Sequence, residues 1–170
     1  MQAELSKLVT AIEDFCAHDA FLLDKDLGER TLTHRLAVHV ERRFPGWQVD
    51  CDYSRLGERM LRLPRGTIVS TEDTLGKSIY PDIVVHQRAI PLNLLAIEVR
   101  KAANHQPLAH DQDKLKALTD PHLWFAFAGG VLLTLASKSR LSCEVYTGGG
   151  IDPELTAWLA GRLASTGLAP

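Results

Sequence analysis

Tyr80-Pro81-Asp82-Ile83-Val84-Val85-His86, followed after a short connection by Leu94-Leu95-Ala96-Ile97-Glu98-Val99-Arg100-Lys101, is the stretch that decides the fold. Both segments are apolar runs of strand length, and Pro91 punctuates the connection, so the pair predicts a β-hairpin. Strand side chains alternate, which puts Glu98 and Arg100 on one face and Ile97 and Val99 on the other. A carboxylate in so apolar a run must be paired, metal-bound or at the sheet's end, because burying an isolated charge is heavily penalised. Pairing of the two strands then brings Asp82, near the start of one, close to Glu98, near the end of the next. Two carboxylates converging at a sheet edge make a hard-oxygen site suited to Mg²⁺ or Mn²⁺, completed by water and substrate phosphate.

Elements on either side follow from periodicity. Leu5, Leu8, Val9, Ile12 and Phe15 recur at helical spacing and predict an amphipathic helix of about four turns. A second helix is predicted from about Gly28 to Phe44, stopped by Pro45-Gly46. From Trp47 to Ser54 the period changes to two, with Trp47, Val49, Cys51 and Tyr53 on one face of a half-buried strand. Arg55 to Ile79 reads as a long loop, with a short strand at Met60 to Leu63. Beyond the hairpin, a helix is predicted from about Asp111, as N-cap, to Thr119, with Asp120-Pro121 as its stop. Trp124 to Ala128 and Val131 to Leu135 read as buried strand, bent at Gly129-Gly130. Leu141, Cys143 and Val145 alternate in a further strand, Gly148 to Gly150 turn, and Pro153 opens a terminal helix through Trp158 to Leu163.

Composition sets the boundaries of the reading. With 170 residues, 45% of them hydrophobic and 24% charged, the chain has material for one core without staples. The expectation is a single domain, residues 1–170. Nineteen basic against 21 acidic residues leave a net charge of -2, so binding to nucleic acid through bulk positive charge is excluded and any phosphate recognition must be local. The three cysteines lack the paired spacing of a zinc or redox site, which points to a reducing compartment. No apolar run approaches the roughly 20 residues of a membrane span, so no membrane association and a cytoplasmic location are expected.

Taken in order, helix glutamate, strand, Pro-Asp, hairpin, Glu-x-basic and following helix resemble the PD-(D/E)XK nuclease superfamily, over roughly Glu29 to Leu135. The resemblance implies an α/β, restriction-endonuclease-like fold, a mixed central sheet flanked by helices, and metal-dependent hydrolysis of phosphodiester bonds in nucleic acid, with DNA as the first expectation and a homodimer left open. It places Asp82 and Glu98 as ligands of Mg²⁺ or Mn²⁺, offers the backbone carbonyl of Val99 as a further ligand, and matches Glu29 to the acidic residue of the first core helix. The position of the motif lysine is held by Arg100. Arginine keeps its proton, so it cannot be a general base, but it can orient or stabilise a phosphate. Lys101 faces the other way in a regular strand, and Lys114 on the next helix is a second candidate for a relocated lysine. Arg100 is ranked ahead of both, with the consequence that Arg100→Lys keeps or raises activity. Arg88, Lys101, Lys114 and Lys116 are candidates for the backbone path, with Gln112 as a neutral phosphate or water contact.

Plainer readings stand beside these. Asp82 can be a turn residue capping a strand, Glu98 can pair with Arg100 or Lys101, and Glu29 can favour a helix N-terminus. His34 and His39 are five apart, not at the i, i+4 spacing of a helical zinc pair. His86 shares a strand face with Asp82 and is a candidate supporting contact. Arg30, Arg35, Arg42 and Arg43 are spread around their helix as a solvated surface would be. Against a cutting enzyme stands a degenerate nuclease fold that binds nucleic acid or a protein partner.

Overall fold

The structure is a computed structural model that describes residues 1–53, 55–56, 59–62, 79–88, 90–137 and 140–167. In chain order the elements are α1 (Gln2–His18), α2 (Ala20–Asp24), α3 (Glu29–Arg43), β1 (Gln48–Cys51), β2 (Arg55–Leu56), β3 (Arg59–Met60), β4 (Ile83–Gln87), β5 (Leu92–Lys101), α4 (Leu108–Leu118), β6 (Gly129–Ser137), β7 (Arg140–Thr147), β8 (Gly150–Ile151) and α5 (Pro153–Ser165). Six strands form a mixed sheet in the order β1-β4-β5-β6-β7-β8, and β2 and β3 form a separate pair. All neighbours in the large sheet are antiparallel except β5 and β6. A parallel pair needs a crossover, and α4 lies in the connection that supplies it.

The sheet has an apolar layer on each side. Ile83, Val85, Leu95, Ile97, Val99, Val131 and Leu133 face α1, α3 and α5, where Leu8, Ile12, Phe15, Leu36, Val40 and Leu159 meet them. Val84, Ala96, Leu132 and Tyr146 face the other way, onto Leu115 and Leu118 of α4 and the buried Phe125 and Phe127. Because β5 is covered on both faces, it reads as a nearly continuous apolar run in which the polar residues stand out. No helix among the described residues is long and apolar enough to cross a membrane.

The hairpin is as expected, with Ile83 opposite Ile97 and Val84 opposite Ala96. Other expectations shift. The strand predicted to run to Ser54 stops at Cys51, because Asp52 takes a positive φ of 50°. That break sends Tyr53 to the α4 side, while Trp47 and Val49 pack on the α1/α3 side. Helix α4 starts at Leu108 after Pro107, so Asp111 lies inside its first turn and is not the N-cap. Trp124 to Ala128 is not a strand: Phe125 and Phe127 are buried from an irregular segment whose Phe127 N–H bonds the Leu118 carbonyl at 2.8 Å. Gly129 and Gly130 do not bend the strand but begin it. A Cβ on Gly130 would stand 3.0 Å from Leu115 Cδ2 and 3.2 Å from Thr119 Cγ2, so the glycine lets α4 lie close on the sheet. Of the strand expected at Met60 to Leu63, Arg59–Met60 form β3 and Leu63 lies outside the described residues.

Candidate functional site

The site lies where the beginning of β4, the end of β5, and the first turns of α3 and α4 meet. Ile83 pairs with Ile97, so Asp82, one residue before β4, and Glu98, one residue further along β5, flank the same end of the hairpin, and Glu98 shares the α4-facing row of Ala96. Asp82 sits immediately before β4. Its Oδ2 accepts the Val99 N–H at 2.8 Å, and its backbone carbonyl accepts the Asp52 N–H at 3.3 Å. Burial pushes its carboxyl up to about 6, against the opposing pull of the Val99 N–H and the Lys114 ammonium.

Glu98 is 2% exposed. Its Oε2 accepts Lys114 Nζ at 2.5 Å, and its Oε1 has no hydrogen-bond partner among the described residues. Burial raises the Glu98 pKa well above the ordinary glutamate value, and the neighbouring Asp82 charge adds to the rise. Burial alone would lower the pKa of Lys114, but the adjacent Glu98 carboxylate, helped by Asp82 and Asp111, outweighs it and holds the ammonium protonated. Two acids and one lysine therefore meet in one partly dry corner, with Lys114 acting on both acids and the Asp82 charge acting on Glu98.

Arg100 is placed differently from its expected role. It shares the Glu98 face, but its guanidinium, 6% exposed, is committed elsewhere. Nη1 donates to Asp111 Oδ2 at 2.8 Å, and Nη2 donates to the carbonyls of Gln106 at 2.9 Å and Asn104 at 3.3 Å. The arginine ties the end of β5 to the loop before α4 and to the first turn of that helix. Asp111 in turn lies 3.9 Å from Lys114, one turn along the same helical face. Lys101 points away, as alternation requires, and bonds Asp26 through its backbone carbonyl at 3.0 Å and its carboxylate at 2.6 Å.

The remaining candidates divide into near and far. Glu29 opens α3 beside the site, but its Oε1 accepts the Lys101 N–H at 2.8 Å and Asn104 Nδ2 at 2.7 Å. Val99 donates its N–H to Asp82 and lines the cleft beside it. Gln112 reaches across to Glu144 on β7, with Nε2 at 3.0 Å from Oε2. Lys116 pairs with Asp113 on its own helix at 3.1 Å. Arg88 follows the opposite end of β4, where it grips Asp50 at 2.6 and 2.8 Å. His86, fully buried, bonds the same Asp50 at 2.8 Å and packs against Tyr53, so it supports the β1–β4 pairing and not Asp82.

A cleft of about 410 Å³ opens beside Asp82 and Val99, bounded by Glu29, Arg30, Thr33, His34, Cys51 and Asp52. Among the described residues no three His, Cys, Asp or Glu side chains form a ready-made metal cage. A Mg²⁺ site does not need one, since that ion commonly takes one or two carboxylates and completes its shell with water and substrate oxygens. The Oε1 of Glu98, without a partner among the described residues and under the influence of the Asp82 charge, fits such an ion.

Sequence reasoning missed the part played by Asp111, which looked like a cap. The available signal was its i, i+3 relation to Lys114 on the helix that follows Arg100. Compared with family models, with characterised protein sequences and with solved structures, the chain matches none.

Proposed function

We propose that this chain is a metal-dependent nuclease of the restriction-endonuclease-like class, with DNA as its first expected substrate and Lys114 in the chemical role of the motif lysine. The observation that carries the reading is the contact of Lys114 Nζ with Glu98, at 2.5 Å, in the corner that Glu98 shares with Asp82. The mixed sheet, with its antiparallel β4–β5 hairpin and parallel β6 reached through α4, supports the fold class implied by the motif order.

Asp82 and Glu98 would hold Mg²⁺ or Mn²⁺, which would supply charge neutralisation at the scissile phosphate and a water of lowered pKa. The chain's own groups set the rest. Lys114 has three N–H donors; one is used on Glu98 Oε2, and the others are available to a phosphate oxygen or a water beside the acids. The Val99 N–H fixes Asp82 Oδ2, so the carboxylate would offer its other oxygen, Oδ1, to the ion. Arg100 holds Asp111 and the first turn of α4, and thereby keeps Lys114 next to β5.

The test is incubation of the purified chain with linear, circular and single-stranded DNA and with RNA, in Mg²⁺, Mn²⁺ or chelator. Cutting that needs the metal and falls by at least a hundredfold in both Asp82→Ala and Lys114→Met supports the proposal, the factor being typical of one positioned catalytic group. Binding without cutting in any metal would favour the degenerate, non-cutting alternative.

A further inference from the structure

The four arginines of α3 look alike in sequence, but the structure separates them. Arg35 is bound to Asp19 at 2.9 Å, and Arg43 is bound to Asp14, both on or next to α1. Arg42 is exposed in the last turn, outside the cleft. Arg30 alone lines the cleft that contains Asp82. His34, one turn further along α3, lines the same cleft, and both side chains are exposed. Neither makes a hydrogen bond or ion pair with another described residue.

The other ionisable side chains at the cleft include three carboxylates, Glu29, Asp52 and Asp82. A negatively charged strand approaching Asp82 would be repelled by them unless cations stood on the facing wall. Arg30 supplies a fixed positive charge with a planar fork of donors suited to phosphate oxygens, and His34 adds an imidazole donor beside it. The cleft volume, about 410 Å³, is within the range of roughly 300–1,000 Å³ typical of sites that enclose a ligand group.

We infer that Arg30 and His34 clamp a non-scissile backbone phosphate of the nucleic-acid strand lying along the α3 side of the site. The inference rests on the proposed nuclease reading and adds the groups that position its substrate. The phosphate sits between Arg30 and His34 of α3 and the Asp82 end of β4, so the strand enters past the N-terminal turns of α3 and not over the far end of β4, where Arg88 is committed to Asp50.

Binding of a fluorescently labelled DNA oligonucleotide, followed by anisotropy in chelator between 50 and 200 mM salt, tests it without requiring cutting. One phosphate contact contributes a salt exponent of about 0.7–0.9, which over a fourfold change in salt is a factor of about 3. Arg30→Ala is expected to weaken binding at 50 mM salt and to lose that factor from the salt dependence. The Arg30→Ala/His34→Ala double variant is expected to bind more weakly still, and Arg30→Lys to recover the slope. Arg42→Ala removes the same charge from the same helix outside the cleft and should leave the slope unchanged. Equal slopes for the wild type and Arg30→Ala, or an equal loss in Arg42→Ala, would overturn the clamp even if metal-dependent cutting is observed. A wild type that cuts nothing but shows the Arg30-specific slope would retain the clamp and overturn the nuclease reading; absence of all binding would overturn the clamp.

Discussion

Replacing Lys114 by methionine removes the cation from Glu98 while keeping the length of the side chain. Glu98, 2% exposed, cannot turn to water, and its Oε1 already lacks a partner among the described residues. The carboxyl is therefore expected to take up a proton in the folded variant, whereas in the unfolded chain it ionises with its ordinary value of 4.5. Its folded pKa lies above its unfolded one, so the folded state binds more protons and stability falls as pH rises above about 4.5. Glu98 is already raised in the wild type, and loss of the Lys114 ammonium raises it further, so the deficit relative to wild type grows by about 1.4 kcal/mol per pH unit across the interval between the two folded values. The ceiling is the roughly 3–5 kcal/mol lost when one partner of a buried ion pair is removed. For a chain of this size that ceiling corresponds to a fall in Tm of about 6–20 °C. Urea unfolding followed by tryptophan fluorescence at pH 5, 6, 7 and 8 measures it, with the m value showing that the same surface unfolds. Adding Glu98→Gln to the variant is expected to abolish the pH dependence and recover about 2 kcal/mol at pH 7. A Lys114→Met deficit that is the same at pH 5 and pH 8 would refute the reasoning, because it would mean that Glu98 reaches solvent or another cation.

Two further predictions concern arginines bound to carboxylates other than Asp82 and Glu98. Arg100→Lys gives up a fork that serves Asp111 and two carbonyls at once, so a loss of about 2 kcal/mol and lowered cutting are expected, the reverse of what a lysine restored to its motif position would do. A thermal melt unchanged from wild type, together with equal or higher activity, would return position 100 to the catalytic centre. At the other end of β4, the Arg88 hydrogen bonds hold the Asp50 carboxyl below its ordinary 3.8, against its partial burial and with help from His86. A depressed folded pKa gives stability that is complete above about pH 4 and is lost as pH falls further, so Asp50→Asn should flatten the acid limb of the stability curve below pH 4. An acid limb as steep as that of the wild type would show that Asp50 ionises freely.

The hairpin was readable because its evidence is local: two strand-length apolar runs, a proline between them, and one carboxylate where alternation and burial conflict. The same rule misled at Trp124–Ala128, where Phe125 and Phe127 alternate but are buried from an irregular segment folded against α4. It also misplaced Gly129-Gly130, where a side chain at Gly129 would meet Met1 and one at Gly130 would meet α4, approaches that no window of sequence contains. The contact between Lys114 and Glu98 was hidden for a related reason. Motif spacing counts residues along a strand, but which cation reaches Glu98 is decided by how α4 lies on the sheet, and that depends on Leu115 and Leu118 packing over Val84, Ala96 and Leu132. Once the helix is there, the two side chains suit the places they occupy. Arginine's planar fork can satisfy one carboxylate and two carbonyls at a fixed junction, a task for which a single ammonium has the wrong shape. Lysine's compact charge on a flexible stem can settle against a buried acid and keep donors free for a substrate oxygen. Arg100 and Lys114 are thus one arrangement, in which the strand residue secures the helix and the helix residue serves the acids; exchanging either alone should impair both.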